Sequence, residues 1–268
     1  MPRILAAALI GGGLSAAGLC YQGLFRNPMV SPDVLGASAG AGFGAALGLF
    51  FAMSHSSIVL MAFGMGLLAV IVIQCIGNRV RGNQTVGLVL GGIMVSSGVS
   101  FLKLVADPDN TLPAITYWLM GDLSSVRMGE VQFSAVPILL GVLVMMLLRW
   151  RLNVLTLEED EARSIGVDTR LLRTLVILAS TLITAACVSV SGMIGWVGLV
   201  VPHFVRMLFG CDYRVSLPCS LLMDGGFLIL VDDLVRTIST NEVPLGILTS
   251  FVGAPFFLYL ILREGKHK

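Results

Sequence analysis

The sequence predicts an all-α fold, a polytopic membrane helix bundle of about nine transmembrane helices. Three observations predict it. Hydrophobic residues make up 56% of the 268-residue chain and charged residues only 12%, against about 25% charged in a typical soluble domain. Mean hydropathy is +0.92, so the chain has too few charges to cover a water-facing surface. Apolar runs of roughly the 20 residues needed to cross hydrocarbon recur along its whole length. Lipid offers the backbone no hydrogen-bond partners, and alternating strand patterns are absent, so these runs are helices.

Taken in order, the nine spans cover residues 4–25, 34–53, 57–76, 86–105, 131–150, 171–190, 193–208, 217–235 and 243–262. The first follows Met1-Pro2-Arg3 and superficially resembles a secretion signal ending at Cys20. The apolar run is too long for that, and Leu19 is a poor residue before a processed cysteine. Gly11, Gly12, Gly13, Gly18 and Gly23 in the first span, and Gly36, Gly40, Gly44 and Gly48 in the second, have the small-residue spacing that lets helix backbones approach. Between the fourth and fifth spans lie Asp107-Pro108-Asp109-Asn110 and then an apolar piece, 112–120. That piece is too short to span and reads as a re-entrant or interfacial helix. In the eighth span Asp232 and Arg236 stand at i, i+4 and are expected to pair near its end, beside Asp233. Asp224 lies deeper in the same span, and the sequence assigns it no role.

Orientation follows from the basic residues. One set of loops holds Arg26, Arg79, Arg81, Arg149, Arg151, Arg163, Arg170, Arg173, Arg206, Arg214, Arg263, Lys266 and Lys268. The other side has only Arg3, Arg127 and Arg236, with Lys103 near the end of its span. The first set is therefore cytoplasmic, as is the C-terminus. An odd number of spans places Met1 outside. One preceding span would bring both ends inside, and the sequence is expected to lack an N-terminal helix.

Residues 149–173 form the one long polar stretch between spans. Within it, 157–166 reads as a short helix, with an acidic first turn and Gly166 at its C-cap. Such a cytoplasmic helix is a handle for a soluble partner, or else a solvated connecting loop.

Several chemistries are excluded. There is no phosphate-binding Gly-xxxx-Gly-Lys loop, and the three lysines, Lys103, Lys266 and Lys268, have no such context. No catalytic triad, HExxH motif or pair of mid-span carboxylates occurs, so no catalytic residue, cofactor or metal site is assigned. The five cysteines are scattered without a CxxC and read as small apolar residues. His203 reads as a packed or backbone-bonded histidine at a helix start, with Pro202 in the first turn. A net charge of +1 without a basic tract gives no sign of nucleic acid. Energy for uphill movement must come from another subunit.

A set of motifs runs through the chain. Gln22-Gly23-Leu24-Phe25-Arg26-Asn27-Pro28 ends the first span, and Pro32-Asp33-Val34-Leu35-Gly36 follows. Tyr117-Trp118-Leu119-Met120-Gly121 and Glu161-Ala162-Arg163-Ser164-Ile165-Gly166 come next. Then come the stretch from Gly195-Trp196-Val197-Gly198 to Pro202-His203, Glu242-Val243-Pro244-Leu245-Gly246, and Gly253-Ala254-Pro255-Phe256-Phe257. In this order they resemble the permease subunits of type II ABC importers, the FecCD group that serves vitamin B12, ferric siderophores and haem.

That family has ten spans and begins one helix earlier. The resemblance implies a single permease domain, 1–268, with a cytoplasmic coupling segment at 151–170. Within it Glu158, Glu159, Asp160, Glu161, Ala162, Arg163, Ser164 and Gly166 would meet the ATPase. It implies a gate at Thr85 and Val86, where Val86 stands in place of a hydroxyl residue and makes the gate more apolar. Gly92, Ser96 and Ser97 would line the path, with Gly91 beside them, although helix packing explains the serines equally well. Arg127, and Arg3 if exposed, would dock an extracytoplasmic binding protein.

The implied assembly is a homodimer with two ATP-binding cassette subunits, in the lipid of a prokaryotic inner membrane. The implied cargo is a metal chelate, ferric siderophore first, then haem or cobalamin. A molybdate-type oxyanion is the alternative within the family. A secondary transporter without an ATPase is the rival outside it, and should show inverted repeats or mid-span ionisable groups.

Overall fold

The computed structural model describes residues 1–77, 84–156, 161, 169–238 and 243–264. Every regular element among them is helical. The α-helices are α1 (Pro2–Leu24), α2 (Ala37–Phe50), α3 (His55–Gly77), α4 (Gln84–Val105) and α5 (Thr111–Leu119), followed by α6 (Met128–Leu152), α7 (Thr169–Ser191), α8 (Val197–Phe209), α9 (Tyr213–Ile238) and α10 (Leu245–Glu264). Short 3-10 turns at Pro32–Leu35 and Asn153–Thr156 lead into α2 and out of α6.

Among the described residues five helices, α1, α3, α6, α7 and α9, are long and apolar enough to cross a membrane by length and composition. Shorter apolar helices fill the other four expected runs: Ala37–Phe50, Val89–Val105, Val197–Phe209 and Leu245–Leu258. The short piece at 112–120 is α5. The run at 193–208 differs most, because its helix begins only at Val197. Gly192 and Trp196 both take positive φ, 67° and 70°, and the chain turns before it coils. Pro202 consequently sits inside α8 and not in its first turn. His203 lies edge-on to Phe257, with ring centroids 5.8 Å apart.

α1 is the axle of the bundle, and its small residues explain why. A side chain at Gly11 or Gly12 would strike the backbone of Asp224 or Leu221 in α9. One at Gly13 would strike Ile183 and Cys187 of α7 and Ile138 of α6. At Gly18 it would overlap the carbonyl oxygen of Gly198 in α8. Two helices, α9 and α8, thus close on α1 at backbone distance, and α6 and α7 press side chains onto it at Gly13; such packing, in place of a hydrophobic drive, holds helices together in lipid. Ser15 meets Ser220 across the same seam, with their hydroxyl oxygens 2.5 Å apart.

The charges in α9 are arranged differently from the expected i, i+4 pair. Asp232 faces α1 and accepts from Arg3 Nε at 2.8 and 2.9 Å. Arg236 points away and lies 3.7 Å from Asp233. Asp232 is 1% exposed, and its ion-pair partner comes from the neighbouring helix α1. Arg3 is therefore committed within the bundle, its side chain only 15% exposed, and is not an outward docking group. Asp224 is fully buried, and neither of its carboxyl oxygens makes a hydrogen bond.

Candidate translocation wall and coupling base

α4 has one packed side and one open side. On the packed side Gly91 admits Ile73 of α3, and Gly98 admits Phe43 of α2. Gly92 belongs to this side too, its Cα set against Gly36, where the 3-10 turn bends into α2 with φ +80°. On the open side Leu90, Ile93, Met94, Phe101 and Leu104 are exposed, together with Ser96 and Ser97. The serine hydroxyls donate to carbonyls one turn back, Ser96 to Gly92 and Ser97 to Ile93, each at 3.0 Å. Ser100 does the same to Ser96 at 3.3 Å. With their protons satisfied within the helix, these hydroxyls leave a smooth wall of methyl, methylene and lone-pair surface. The only charged residue of α4 is Lys103 in its last turn. Thr85 and Val86 fall on the first turn of α4, and their side chains lie outside the described residues.

At one end of the bundle the polar groups converge on the exit of α6. Val154 and Leu155 of the 3-10 turn are buried, 7% and 3% exposed. The Asn153 amide donates to Asp212 at 2.8 Å and accepts the backbone N–H of Tyr213 at 3.0 Å. The same Asp212 oxygen accepts the backbone N–H of Arg214 at 3.0 Å. The Tyr213 hydroxyl donates to the Leu19 carbonyl of α1 at 3.1 Å. Arg214 lies over the Trp150 ring, 5.5 Å from its centroid. The Arg214 N–H and the Asn153 amide hold the Asp212 carboxyl below the usual carboxylate range. Its stabilisation is therefore complete above the ordinary carboxylate pKa and is lost only as pH falls through the depressed value. Immediately beyond lies the acidic segment. Glu161 is exposed and helical, while Glu158, Glu159, Asp160, Ala162, Arg163, Ser164 and Gly166 lie outside the described residues.

At the opposite end Arg127 is the exposed N-cap of α6. Its backbone N–H donates to Glu130 Oε2 at 3.1 Å. The other Glu130 oxygen meets His55 Nε2 at 2.7 Å and ties the start of α3 to the start of α6.

The sequence motifs assemble into two nodes. At the end of the bundle where α6 exits, Gln22 donates to the Leu199 carbonyl at 3.2 Å and accepts from Arg206. The Pro32 ring packs on Gly198 in the same place. At the other end, Leu245 N–H and Gly246 N–H donate to the carbonyls of Gly121 and Met120 at 2.8 and 3.1 Å. Asp122 N–H donates to Ser191 there at 2.8 Å. Gly121 takes φ +76° and Gly192 φ +67°, and a side chain on Gly192 would collide with the Trp118 carbonyl. The Tyr117–Gly121 motif and the described part of the other, Val243–Gly246, are thus two halves of one junction. Sequence reasoning found the motifs and missed the Asn153–Asp212 contact, although an aspartate just ahead of an apolar run is a legible N-cap.

A sequence model of the FecCD transport family matches residues 1–263. The chain is 39% identical over 278 residues to the molybdate import system permease protein MolB of Haemophilus influenzae, covering 100% of this chain and 82% of that protein. It is 40% identical over 267 residues to a protein of Helicobacter pylori named as an iron chelatin transport system permease, covering 98% and 81%. It is 35% identical over 280 residues to the hemin transport system permease protein HmuU of Yersinia pestis, covering 100% and 83%. Among solved structures it resembles one described as an inward-facing, metal-chelate type ABC transporter, with TM-score 0.92 and 37% identity over 98% of this chain and 85% of that one. The motif nodes, the helix order and these matches over nearly the full length agree: this chain belongs to the FecCD transport family and is a multi-pass membrane permease.

Proposed function

We propose that the chain, residues 1–268, is the permease subunit of an ATP-binding cassette importer for a metal chelate, with ferric siderophore ahead of haem and cobalamin. Two copies pair across the open side of α4, and the chelate crosses between them. Two ATPase subunits dock on the cytoplasmic segment 151–170 through Glu158, Glu159, Asp160 and Glu161 and the turn Ala162, Arg163, Ser164 and Gly166. Thr85 and Val86 stand at the cytoplasmic gate. An extracytoplasmic binding protein meets Arg127, which stands exposed at the head of α6. The end carrying the coupling base, and the C-terminus, face the cytoplasm.

The observation that carries this reading is the wall of α4. It is open, long and without fixed charge on its exposed turns, as suits a bulky chelate that is handed through and not held. A molybdate-type cargo is the second reading. It is favoured by the likeness to MolB over the whole chain and opposed by the absence of a cation on the exposed turns of α4 before Lys103.

The docking assignment has a direct test. Reversing Glu159→Lys and Glu161→Lys together is expected to cut ATPase co-purification by about tenfold, since the reversal sets like charges against each other across the interface, at a cost on the order of a kilocalorie or more. Undiminished co-purification would show that the acidic turn is not the docking surface.

A further inference from the structure

We propose that Asn153 and Asp212 form a bracket that ties the exit of α6 to the start of α9, so that a displacement entering at the 3-10 turn Asn153–Thr156 moves α9 and α1 and is not absorbed by a hinge. The proposal rests on the coupling reading above and adds the residues that transmit it.

The geometry argues for a rigid mount. A helix start leaves its first backbone N–H groups without partners, and a cap is ordinarily supplied by the preceding residue. α9 takes one such cap from Asp212, which accepts the Arg214 N–H. The Tyr213 N–H goes to Asn153, which stands 60 residues earlier at the exit of α6. Asn153 also donates its amide to Asp212, so both ends of one side chain are used on α9. One residue on, Val154 and Leu155 are plugged into the core, and the Leu155 carbonyl accepts from Arg26 Nε at 3.4 Å.

The root of the coupling segment is thus fixed by an apolar plug and a polar clip. The clipped helix is the one that closes on α1 at Gly11 and Gly12. From there the contacts run on through Gly18 and Gly198 of α8 to the Pro32 ring, and through Gly36 to Gly92 of α4. A cap needed only to stabilise α9 would not have to come from the residue that roots the coupling segment.

The test uses the full complex of permease and ATPase in proteoliposomes. A Ser96→Cys reporter on α4 is labelled with a maleimide, with and without ATP and vanadate, against a background in which the native cysteines are replaced. With the bracket intact, nucleotide is expected to change the labelling rate. In Asp212→Ala, which lies outside the docking segment, the ATPase is expected to stay bound and to hydrolyse ATP within about twofold of the parent, while the nucleotide-dependent change falls by about fivefold or more; Asn153→Ala, at the root of that segment, is expected to show the same loss of response. Asp212→Asn keeps an acceptor oxygen and is expected to restore the response, which a loss through general destabilisation would not predict. Asp212 is exposed, so its alanine variant carries the test if Asn153→Ala does not fold.

Both alanine variants keeping the full nucleotide response would overturn the bracket. That outcome is distinct from failure of the docking reading, which appears as ATPase binding that survives the Glu159→Lys, Glu161→Lys reversal.

Discussion

Replacing Arg3 with alanine is expected to lower the stability of the isolated permease by about 3–5 kcal/mol, because one partner of a buried ion pair is left without the other. Asp232 is 1% exposed, and the Arg3 guanidinium supplies hydrogen bonds to both of its oxygens. Against a total stability on the order of 5–15 kcal/mol, a loss of that size removes a large share of the folded population. The double substitution Arg3→Leu, Asp232→Leu should recover most of it, since replacing both partners by apolar groups removes the stranded charge. Thermal unfolding in detergent, followed by loss of monodisperse protein, reads both effects. A single variant that melts with the parent would mean that the pair is solvated and that α1 is anchored by packing alone.

Gly18→Ala should be the most damaging single methyl in the bundle. The added carbon falls on the carbonyl oxygen of Gly198, a backbone atom that cannot rotate away. α1 must then retreat from α8, and the Gln22–Leu199 hydrogen bond one turn along loosens with it. Overpacking of this kind costs about 1–3 kcal/mol, and more where backbone must move. Gly64→Ala is the matched control, because nothing lies within 4 Å of a side chain there. It should be neutral or stabilising by up to about 1 kcal/mol through helix propensity. Equal melting temperatures for the two variants would contradict the close approach of α1 and α8.

The sequence made the transmembrane architecture legible because hydrocarbon imposes a length. Runs near 20 residues have no soluble alternative at 12% charge. The glycine rows of α1 were legible for the same reason, since close backbone contact in lipid requires small residues. What sequence could not show is where such runs break. The run 193–208 reads as one continuous span, yet residues 192–196 form a turn that shortens the following helix to 13 residues. Nor could it pair Arg3 with Asp232 across 229 positions when Arg236 stood only four away. Local spacing proposes the nearer partner, and burial decides for the farther one.

Of the candidate site, Ser96 and Ser97 were identified as residues, but that their hydroxyls turn inward to their own helix needed coordinates. The family resemblance implies a place on the path for Gly92, and the structure sets it on the packed side against Gly36. The 3-10 turn after α6 was hidden within a stretch that reads as uniformly polar. Its two buried residues, Val154 and Leu155, were the available sign that this stretch is rooted in the bundle.

If the proposed coupling holds, the bundle moves its cargo only when an ATP-hydrolysing partner works on residues 151–170. Uptake into proteoliposomes tests it most directly, with the ATPase and the binding protein present and a radiolabelled ferric hydroxamate, haem, cobalamin and molybdate each offered in turn. Accumulation of at least one of them against its gradient is expected only with the ATPase and ATP together, and none with the permease alone. Accumulation by the permease without a nucleotide-hydrolysing partner would overturn the proposed dependence on an ATPase.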